Sequence, residues 1–485
     1  MNSLPPLTIA FITYKGLVPR SPKTIPSVTI TPAAESFFIS RLFPGASMLF
    51  IISLSKKIEQ KRRKLVNINI SGISLTGINF IKNVSLKLFG GIIVRKSKAL
   101  IIAMKTKYLN IRHIALIHLI SLSFGSVLGQ TGISKYEKLS LLFIGDIMGH
   151  DEQIWSAENR ETHTFNYDDV FRYIKPVISE ADISIANFEV TLGGPPYMGY
   201  PQFSSPPALA AACKNAGIDY MVTANNHAAD RGKSGIAGTI NRLDSLGIPH
   251  TGTFLNSSSR DTLYPLMFEK NGISIALLNY TYGTNGINVP EPLIVNILEK
   301  NVITEDIKKA RTKKPDITIL FLHWGTEYDT VPSKIQTDLA EYFFSLGVDL
   351  IIGSHPHVLQ KMVWSKQISG GKDGIVVYSM GNFVSNQRKP KTDGGAIVRI
   401  DFTKIDNQFK ISDAGYYLTW VYTPIEKYRK KFFIIPCSQF ENYPDFFSKP
   451  AEYIQMKDYI TGARSLLYKQ NINIREKIYN GTDWM

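Results

Sequence analysis

The segment DLIIGSHPHV (349–358) runs from apolar, strand-forming residues directly into two histidines separated by one proline. Four other apolar runs also stop at polar side chains: LLFIGDIMGH (141–150), ISIANFE (183–189), YMVTANNH (220–227) and ITILFLH (317–323). Runs that stop at His, Asp, Asn or Glu are typical of parallel strands that carry a site at their carboxyl ends. Amphipathic stretches separate these runs, so the sequence predicts a layered α/β fold.

The predicted elements extend outward from these runs along most of the chain. Further strands are expected at SIALLNYTY (274–282) and GIVVYSMG (374–381), and antiparallel strands at 396–423. Helices are predicted over 168–180, 206–217, 235–247, 301–313 and 335–346, with Pro176 bending or shortening the first. This pattern favours a main domain at 139–402 and a small C-terminal β/α annex at 403–485.

The positive charge of the chain lies outside this predicted domain. The formal net charge is +15, but residues 1–103 hold 15 Lys/Arg and only 2 Asp/Glu, and residues 104–130 add three basic residues and no acid. Residues 131–485 contain 37 Lys/Arg and 38 Asp/Glu. A basic groove for nucleic acid is therefore not indicated, and no nucleic-acid partner is expected.

A second pattern begins at Met104. Basic residues are followed by the apolar stretch IALIHLISLSFGSVLG (114–129), which small residues close. This order predicts a secretory signal peptide at 104–130, and residues 1–103 would then be a non-native or disordered extension from a start codon assigned too far upstream. The alternatives are an uncleaved membrane anchor at 114–129 and a buried internal helix. We expect an exported protein, periplasmic, extracellular or at the cell surface.

The two cysteines give little information about the redox compartment. Cys213 lies in an Ala-rich predicted helix and is interpreted as a small buried residue. A disulfide between Cys213 and Cys437 would be possible after export, but spacing alone does not establish it.

The polar strand ends have the chemistry of a metal site. Neutral imidazoles, carboxylates and an amide oxygen suit Mn, Fe or Zn, and two divalent ions are expected. His355 and His357 are interpreted as ligands because a proline-containing turn can aim both at one point. Asp146 follows the first predicted strand, where a first ligand is usual. Glu189 either bridges two ions, caps a helix or faces solvent.

Other polar residues at the strand ends receive more open interpretations. Asn226 is a candidate amide ligand or part of a helix cap, and His227 after it is a candidate proton donor. His323 is a candidate ligand, with Trp324 forming a pocket wall. The remaining candidates, which would support ligands or line the site, are His150, Asn187, Asn225, Glu327, Ser379 and Asn382. His150 could equally be an exposed loop residue, and Ser379 and Asn382 could simply form a turn.

Six motifs, in chain order, resemble the CapA-type capsule synthesis family, also called poly-γ-glutamate biosynthesis proteins and related to calcineurin-like metallophosphoesterases. They are GDIMGH (145–150), NFE (187–189), NNHAADRG (225–232), HWGTEY (323–328), GSHPHVLQ (353–360) and SMGNF (379–383). The resemblance implies a metallophosphoesterase-like sandwich of mixed β-sheets with flanking helices, and a role in making or exporting a surface polymer.

The resemblance also implies roles for particular residues. Asp146 and Glu189 would be carboxylate ligands, with Glu189 bridging, and Asn226, His323, His355 and His357 would complete the two sites. His227 would be the acid. The chain departs from the wider phosphoesterase pattern because three residues separate Asp146 from His150, and because a glutamate stands where an aspartate bridge is usual.

Two functions of different classes follow from these expectations. The first is a metal-dependent hydrolase, phosphoesterase-like, acting on an anionic polymer or phosphoester beside membrane-bound polymer synthesis machinery. The second is a non-enzymatic polymer-handling or scaffold component that retains the fold. The resemblance does not separate the two, because fold and reaction are separable.

Overall fold

The computed structural model describes residues 136–368, 372–405 and 408–485. Gln130–Met485 form one compact unit. The predictions for 1–103, for the signal peptide at 104–130 and for an anchor at 114–129 concern residues outside this description. Within the described ranges, no helix has the length and apolar character needed to cross a membrane.

The described chain alternates strands and helices over most of its length. The strands are β1 Tyr136–Ile147, β2 Glu158–Asn159, β3 Thr164–Phe165, β4 Ile183–Phe188, β5 Tyr220–Val222, β6 His250–Thr251, β7 Thr253–Phe254, β8 Leu266–Lys270, β9 Ile273–Thr281, β10 Ile294–Val295, β11 Ile317–His323, β12 Leu350–Ser354, β13 Met362–Ile368, β14 Lys372–Val377, β15 Asn382–Val384, β16 Gly394–Ile405, β17 Gln408–Tyr422, β18 Ile425–Glu426, β19 Arg429–Lys430, β20 Phe433–Pro436 and β21 Arg475–Glu476. The helices are α1 Asp151–Ala157, α2 Lys175–Ile178, α3 Ala208–Ala216, α4 Gly232–Ser245, α5 Ser257–Leu263, α6 Lys300–Thr312, α7 Lys334–Ser345, α8 Cys437–Phe440 and α9 Pro450–Gln470, with 3₁₀ turns at Asp168–Phe171 and Pro444–Phe446.

Two mixed sheets form the centre of the molecule. The first has the order β20-β17-β16-β1-β4-β5-β6, with β15 also on β1 and β21 on β17. Its strands β1, β4, β5 and β6 are parallel, whereas β16, β17 and β20 continue it in antiparallel fashion. The second sheet has the order β13-β14-β12-β11-β9-β8, with β9, β11, β12 and β14 parallel. The expected α/β sandwich of mixed sheets with flanking helices is confirmed.

The apolar side chains explain the layering. Residues such as Phe143 of the first sheet and Phe321 of the second lie in one shared core between the sheets. The opposite faces are covered by α3 and α4 on the first sheet and by α6 and α7 on the second. Fully burying each such side chain contributes roughly 1.5–3 kcal/mol. Strands buried on both faces read as continuous apolar runs, which is the pattern seen in the sequence.

Local signals set several element boundaries. The predicted helix over 168–180 is a 3₁₀ turn at Asp168–Phe171 followed by the single-turn α2, with Pro176 in that turn. Gly217 ends α3 with a left-handed φ of 103°, a conformation that costs glycine little. Ser333 begins α7, and its side chain accepts a hydrogen bond from the Gln336 amide.

The expected annex at 403–485 is not a separate body. Residue 403 falls inside β16, and β17, β20 and β21 belong to the first sheet. The helix α9 buries Met456, Ile460 and Leu467 in the core between the sheets. Cys213 and Cys437 are both buried and free, so the possible disulfide is absent from the described structure.

Candidate metal centre

The predicted site residues lie where strands of both sheets end. Asp146, near the end of β1, is in register with Asn187 of β4 and with Asn382 of β15. His323, the last residue of β11, is in register with Ser354 of β12. Because parallel strands end at the same edge of a sheet, these positions bring residues far apart in the chain to one edge.

The turn after β12 holds two histidines in an unusual backbone conformation. His355 has φ of 101° and His357 has φ of 56°, in the region that side chains other than glycine rarely adopt. Such conformations cost on the order of 1–3 kcal/mol each and persist where the surroundings hold them. In this turn the His355 imidazole belongs to one candidate ligand group and the His357 imidazole to the other.

Five buried side chains form two groups that share one carboxylate. Glu189, His323 and His355 make one group, and Asp146, Glu189 and His357 make the other; within each group the ligand atoms all lie within 4.8 Å of one another. All five side chains are almost completely buried. The first sheet supplies the carboxylates and the segments around β11 and β12 supply the histidines. The buried Asn226 joins them through His323.

The Asp146 side of the centre is held by amides. Asn187 Nδ2 donates to Asp146 Oδ1 over 2.8 Å and lies 3.5 Å from Glu189 Oε2. His357 Nδ1 lies 3.1 Å from Asp146 Oδ2 and 3.0 Å from Asn382 Oδ1. Asn187 and Asn382 therefore position the carboxylate and the imidazole from either side.

On the His323 side of the centre, polar side chains also position the candidate ligand. His323 Nε2 lies 2.7 Å from Asn226 Oδ1 and 3.5 Å from Glu189 Oε1. The other ring nitrogen, Nδ1, lies 3.0 Å from Ser354 Oγ, which fixes the orientation of the ring. Asn226 thus presents its amide oxygen beside the imidazole nitrogen that faces Glu189.

The donor set fits a divalent cation. Glu189 Oε1, His355 Nδ1 and Asn187 Oδ1 are buried without a hydrogen-bond partner among the described residues, a costly state that a cation would relieve for the first two. Burial lowers the pKa of His355 to about 3, assisted by the neighbouring His357, and holds the pKa of His323 well below its usual value. Both imidazoles are therefore neutral, the form that binds a metal. Burial and the nearby Asp146 raise the pKa of Glu189 well above its usual value.

Asp230, which contacts His227 beside the centre, was not predicted as a site residue. His227 Nδ1 lies 2.8 Å from Asp230 Oδ2, which also accepts a hydrogen bond from the Phe203 amide over 2.7 Å. Both side chains are buried, and Phe203 packs edge-on against the His227 ring. The spacing in NNHAAD contains the signal, because residues three apart meet within a tight turn, but the prediction from this motif concerns only its Asn and His.

Other predicted residues support the strand ends. Asn225 Nδ2 donates to the Phe188 carbonyl, and its Oδ1 accepts from the His227 amide. His150 precedes α1, and its Nδ1 accepts from the Asn386 amide over 3.2 Å. Ser379 Oγ donates to the Val358 carbonyl and accepts from the Gly381 amide, so it forms a turn. None of these three belongs to either carboxylate–histidine group.

Two predicted roles need correction. Trp324 does not form a pocket wall: its indole is buried against Tyr378 and donates to the Tyr378 carbonyl over 3.0 Å, in the core beneath α6 and α7. Glu327 is exposed and forms no hydrogen bond to a candidate ligand in the described part of the chain, so it does not orient one. Its charge acts through space and helps raise the pKa of Glu189.

The exposed wall of the centre consists of tyrosines instead. The Tyr282 ring lies 4.5 Å from the His355 ring, and the Tyr328 ring lies 6.3 Å from the His357 ring, centre to centre. Their side chains remain 45% and 37% exposed, so they form the boundary between the buried ligands and solvent. Tyr282 ends the predicted strand SIALLNYTY (274–282) and Tyr328 ends the motif HWGTEY (323–328), but the strand-end prediction concerns only His, Asp, Asn and Glu.

The fold and the site together define an α/β protein of two packed mixed sheets with a candidate metal centre at their carboxyl edge. The family model described as bacterial capsule synthesis protein PGA_cap matches residues 140–387. The chain belongs to this family of capsule synthesis proteins, as the six motifs had indicated.

Two curated relatives and a solved structure are similar to the chain. Capsule biosynthesis protein CapA of Bacillus anthracis is 30% identical over 326 residues, covering 63% of this chain and 76% of that protein. PGA biosynthesis protein CapA of Bacillus subtilis is 28% identical over 278 residues, covering 55% and 68%. The calcineurin-like phosphoesterase YfkN from Bacillus subtilis superposes with a TM-score of 0.37 at 14% identity, covering 68% of this chain and 99% of that one.

Proposed function

We propose that the protein is an exported, metal-dependent hydrolase of the phosphoesterase type that binds two divalent ions and acts in the synthesis or export of an anionic surface polymer. Mn, Fe and Zn are the candidate ions, because the donors are imidazole nitrogens and carboxylate and amide oxygens. The proposed export is supported by the sequence pattern at 104–130, and the proposed partner, membrane-bound polymer synthesis machinery, is supported by membership of a capsule synthesis family.

The observation that carries this proposal is the position of Glu189 in both ligand groups. A carboxylate shared between two sets of ligands is the arrangement that holds two cations close together. Asp146 and His357 would complete one site, and His323, His355 and the Asn226 oxygen would complete the other. Two such ions supply a nucleophile at neutral pH and polarise the attacked group.

The side chains of the protein supply the remaining chemistry. Asp230 accepts a hydrogen bond from His227 Nδ1, so Nε2 is the nitrogen left to act on a substrate. In its protonated state this nitrogen can donate a proton to the leaving oxygen. Tyr282 and Tyr328 would contact the substrate as it enters, since both are exposed and lie beside the histidines.

A polymer-handling scaffold is the second candidate. The observation that favours it is the near-complete burial of the ligand side chains, because a structural metal site is closed whereas a catalytic one keeps an open position. The presence of His227 with its own carboxylate partner favours the hydrolase, since a structural ion needs no neighbouring proton donor.

The deciding experiment uses the 131–485 fragment, which contains the whole compact unit described above except its first residue. The fragment is loaded separately with Mn, Fe or Zn, the bound metal is quantified, and turnover is measured on a panel of phosphomonoesters, phosphodiesters and carboxylate polymers. Metal-dependent turnover of any of these supports the hydrolase. Two bound ions without turnover of any anionic substrate would favour the scaffold, and the absence of bound metal would refute both.

Export has its own test. If 104–130 is a signal peptide, the mature protein begins near Gln130, and N-terminal sequencing of protein from the native host would show this start. Peptides from residues 1–100 in the native protein would contradict the expected start at Met104.

A further inference from the structure

Two adjacent cations lie in the loop after β15, and no carboxylate of the described residues contacts either one. Arg388 and Lys389 follow β15 in the chain, and both residues are exposed. Among residues 136–368, 372–405 and 408–485, neither side chain forms an ion pair, whereas several other basic residues do. Two unneutralised charges are notable because residues 131–485 as a whole carry almost equal numbers of basic and acidic residues.

Contacts hold both the backbone carbonyl and the side-chain ammonium group of Lys389. Its carbonyl accepts hydrogen bonds from the Thr392 amide over 3.0 Å and from Thr392 Oγ1 over 2.9 Å. Its ammonium nitrogen lies 4.0 Å from the centre of the Tyr328 ring, in cation–π contact. A lysine fixed in this way loses less side-chain freedom when it binds a ligand than a free surface lysine does.

The same contacts connect Lys389 to the ligands. Tyr328 lies 6.3 Å from the His357 ring, so Lys389 Nζ is no more than about 10 Å from the centre of that ring. The Thr392 carbonyl accepts from Asn382 Nδ2, and Asn382 Oδ1 is 3.0 Å from His357 Nδ1. The turn that carries both cations is thus built on a residue that contacts a candidate ligand.

Arg388 directly precedes Lys389 in the loop after β15. Its side chain is exposed, and the surrounding protein lowers its pKa to about 10, because desolvation outweighs the charges of Asp393 and Glu152. The Asp393 carboxylate is already engaged by the Trp420 indole over 2.8 Å. Within the described residues no acceptor contacts the Arg388 guanidinium, so this side chain can form charge-assisted hydrogen bonds with an incoming anion.

We propose that Arg388 and Lys389 form a second anion subsite, which binds a negative group of the substrate adjacent to the group held at the metal centre. The inference rests on the proposed function and narrows its substrate class: the substrate carries at least two anionic groups, spaced by up to about 10 Å, as along a polyanionic chain. A simple ester with one anionic group would occupy the metal centre alone. The second group could be a phosphate or a carboxylate.

The test measures binding of three phosphonates to the metal-loaded 131–485 fragment by calorimetry. The probes are ethylphosphonate, an alkane bisphosphonate with five methylenes between its phosphonates, and the matching phosphonate with a terminal carboxylate. The variant is Arg388→Gln with Lys389→Gln. The control is Lys313→Gln with Lys314→Gln, an equally charged pair of exposed residues in the turn after α6.

The parent protein should bind at least one two-anion probe more tightly than ethylphosphonate. In the Arg388/Lys389 variant the Kd of that probe should rise about tenfold, with the Kd of ethylphosphonate changed by less than about twofold. Lys389→Arg alone should retain most of the preference. The probe whose affinity falls identifies the second group as phosphate or carboxylate.

Three results would overturn the subsite. The first is that the parent binds all three probes with equal affinity. The second is that the Arg388/Lys389 variant loses affinity for all three probes to the same extent. The third is that the Lys313/Lys314 control loses as much affinity for the two-anion probe as the variant does. If the parent binds metal but none of the phosphonates, the proposed hydrolase fails together with the subsite. Binding of all probes with no discrimination refutes the subsite alone.

Discussion

Asp230 Oδ2 lies 2.8 Å from His227 Nδ1, and both side chains are buried beside the candidate metal centre. A carboxylate only accepts hydrogen bonds, so this contact places a proton on Nδ1 and leaves Nε2 for chemistry. The Phe203 amide donates to the same carboxylate oxygen, which keeps it from rotating away. Asp230 is therefore a positioning residue for His227, and its effect should be measurable separately from metal binding.

Replacing Asp230 with Asn should lower kcat by about 10²–10⁴-fold, because an amide in this place would favour the wrong imidazole tautomer. Metal content, measured by elemental analysis, should stay unchanged. The matched control is Asp244→Asn, since Asp244 lies 3.2 Å from His250 in a second Asp–His pair outside the site. Equal losses in both variants would show that Asp230 has only a structural role.

Substituting His227 by Ala should separate catalysis from metal retention. We expect hydrolysis to fall by about 10²–10⁴-fold, since a proton donor is removed, while bound metal remains nearly constant. His355→Ala should instead reduce bound metal and activity together, because His355 Nδ1 is a candidate donor atom. A His227 variant that turns over as fast as the parent would refute the acid role.

Because Glu189 belongs to both ligand groups, its replacement should remove more bound metal than the replacement of either His355 or His357. Glu189→Gln should weaken both sites, whereas His355→Ala and His357→Ala should each weaken one, because each histidine belongs to a single ligand group. Titration calorimetry with Mn²⁺ should give a stoichiometry near zero for the first variant and near one for the others. Identical stoichiometry in all three would contradict a bridging role.

Asp349 should make stability depend on pH independently of any metal. Burial raises its pKa from 3.8 to about 6, against the opposing hydrogen bond from the Thr318 amide. The folded protein then keeps a proton between these values that the unfolded chain has released, so the free energy of unfolding falls as pH rises through this range and levels off above it. The loss amounts to roughly 3 kcal/mol.

Asp349→Asn should remove this part of the pH dependence, because the amide cannot ionise. The difference in Tm of the metal-free protein between pH 4 and pH 7 should be smaller in the variant than in the parent. Asp445→Asn, at an exposed aspartate, is the control and should leave the difference unchanged. An unaltered difference in the Asp349 variant would disprove the assignment.

The sequence alone predicted the main strands and the residues at their ends. This was possible because strands buried on both faces, such as ITILFLH (317–323), are continuous apolar runs, and a buried polar residue at their end is costly without a function. The antiparallel pairing of 396–423 was also predicted, from its alternating pattern. Helix boundaries were close wherever a cap or a glycine marked them.

Other features depend on contacts between distant segments and had no local signal. The indole of Trp324 could face either the site or the core, and only the packing of Tyr378 against it decides for the core. The C-terminal segment is predicted to be an annex, but β17 pairs with β16, and β20 and β21 pair with β17, so these strands extend the first sheet. The contact of Lys389 with Tyr328 joins two loops and is invisible in either one.

The ligand groups draw their carboxylates from one sheet and their histidines from the other. A bound ion would therefore act as a cross-link between the two halves of the sandwich, in addition to whatever chemistry it performs. Its binding free energy would add to the global free energy of unfolding, since the unfolded chain offers no such arrangement of ligands. Chelation would consequently weaken the association between the two sheets. Protein in a metal-poor compartment would be less stable towards unfolding and would also lose any metal-dependent activity.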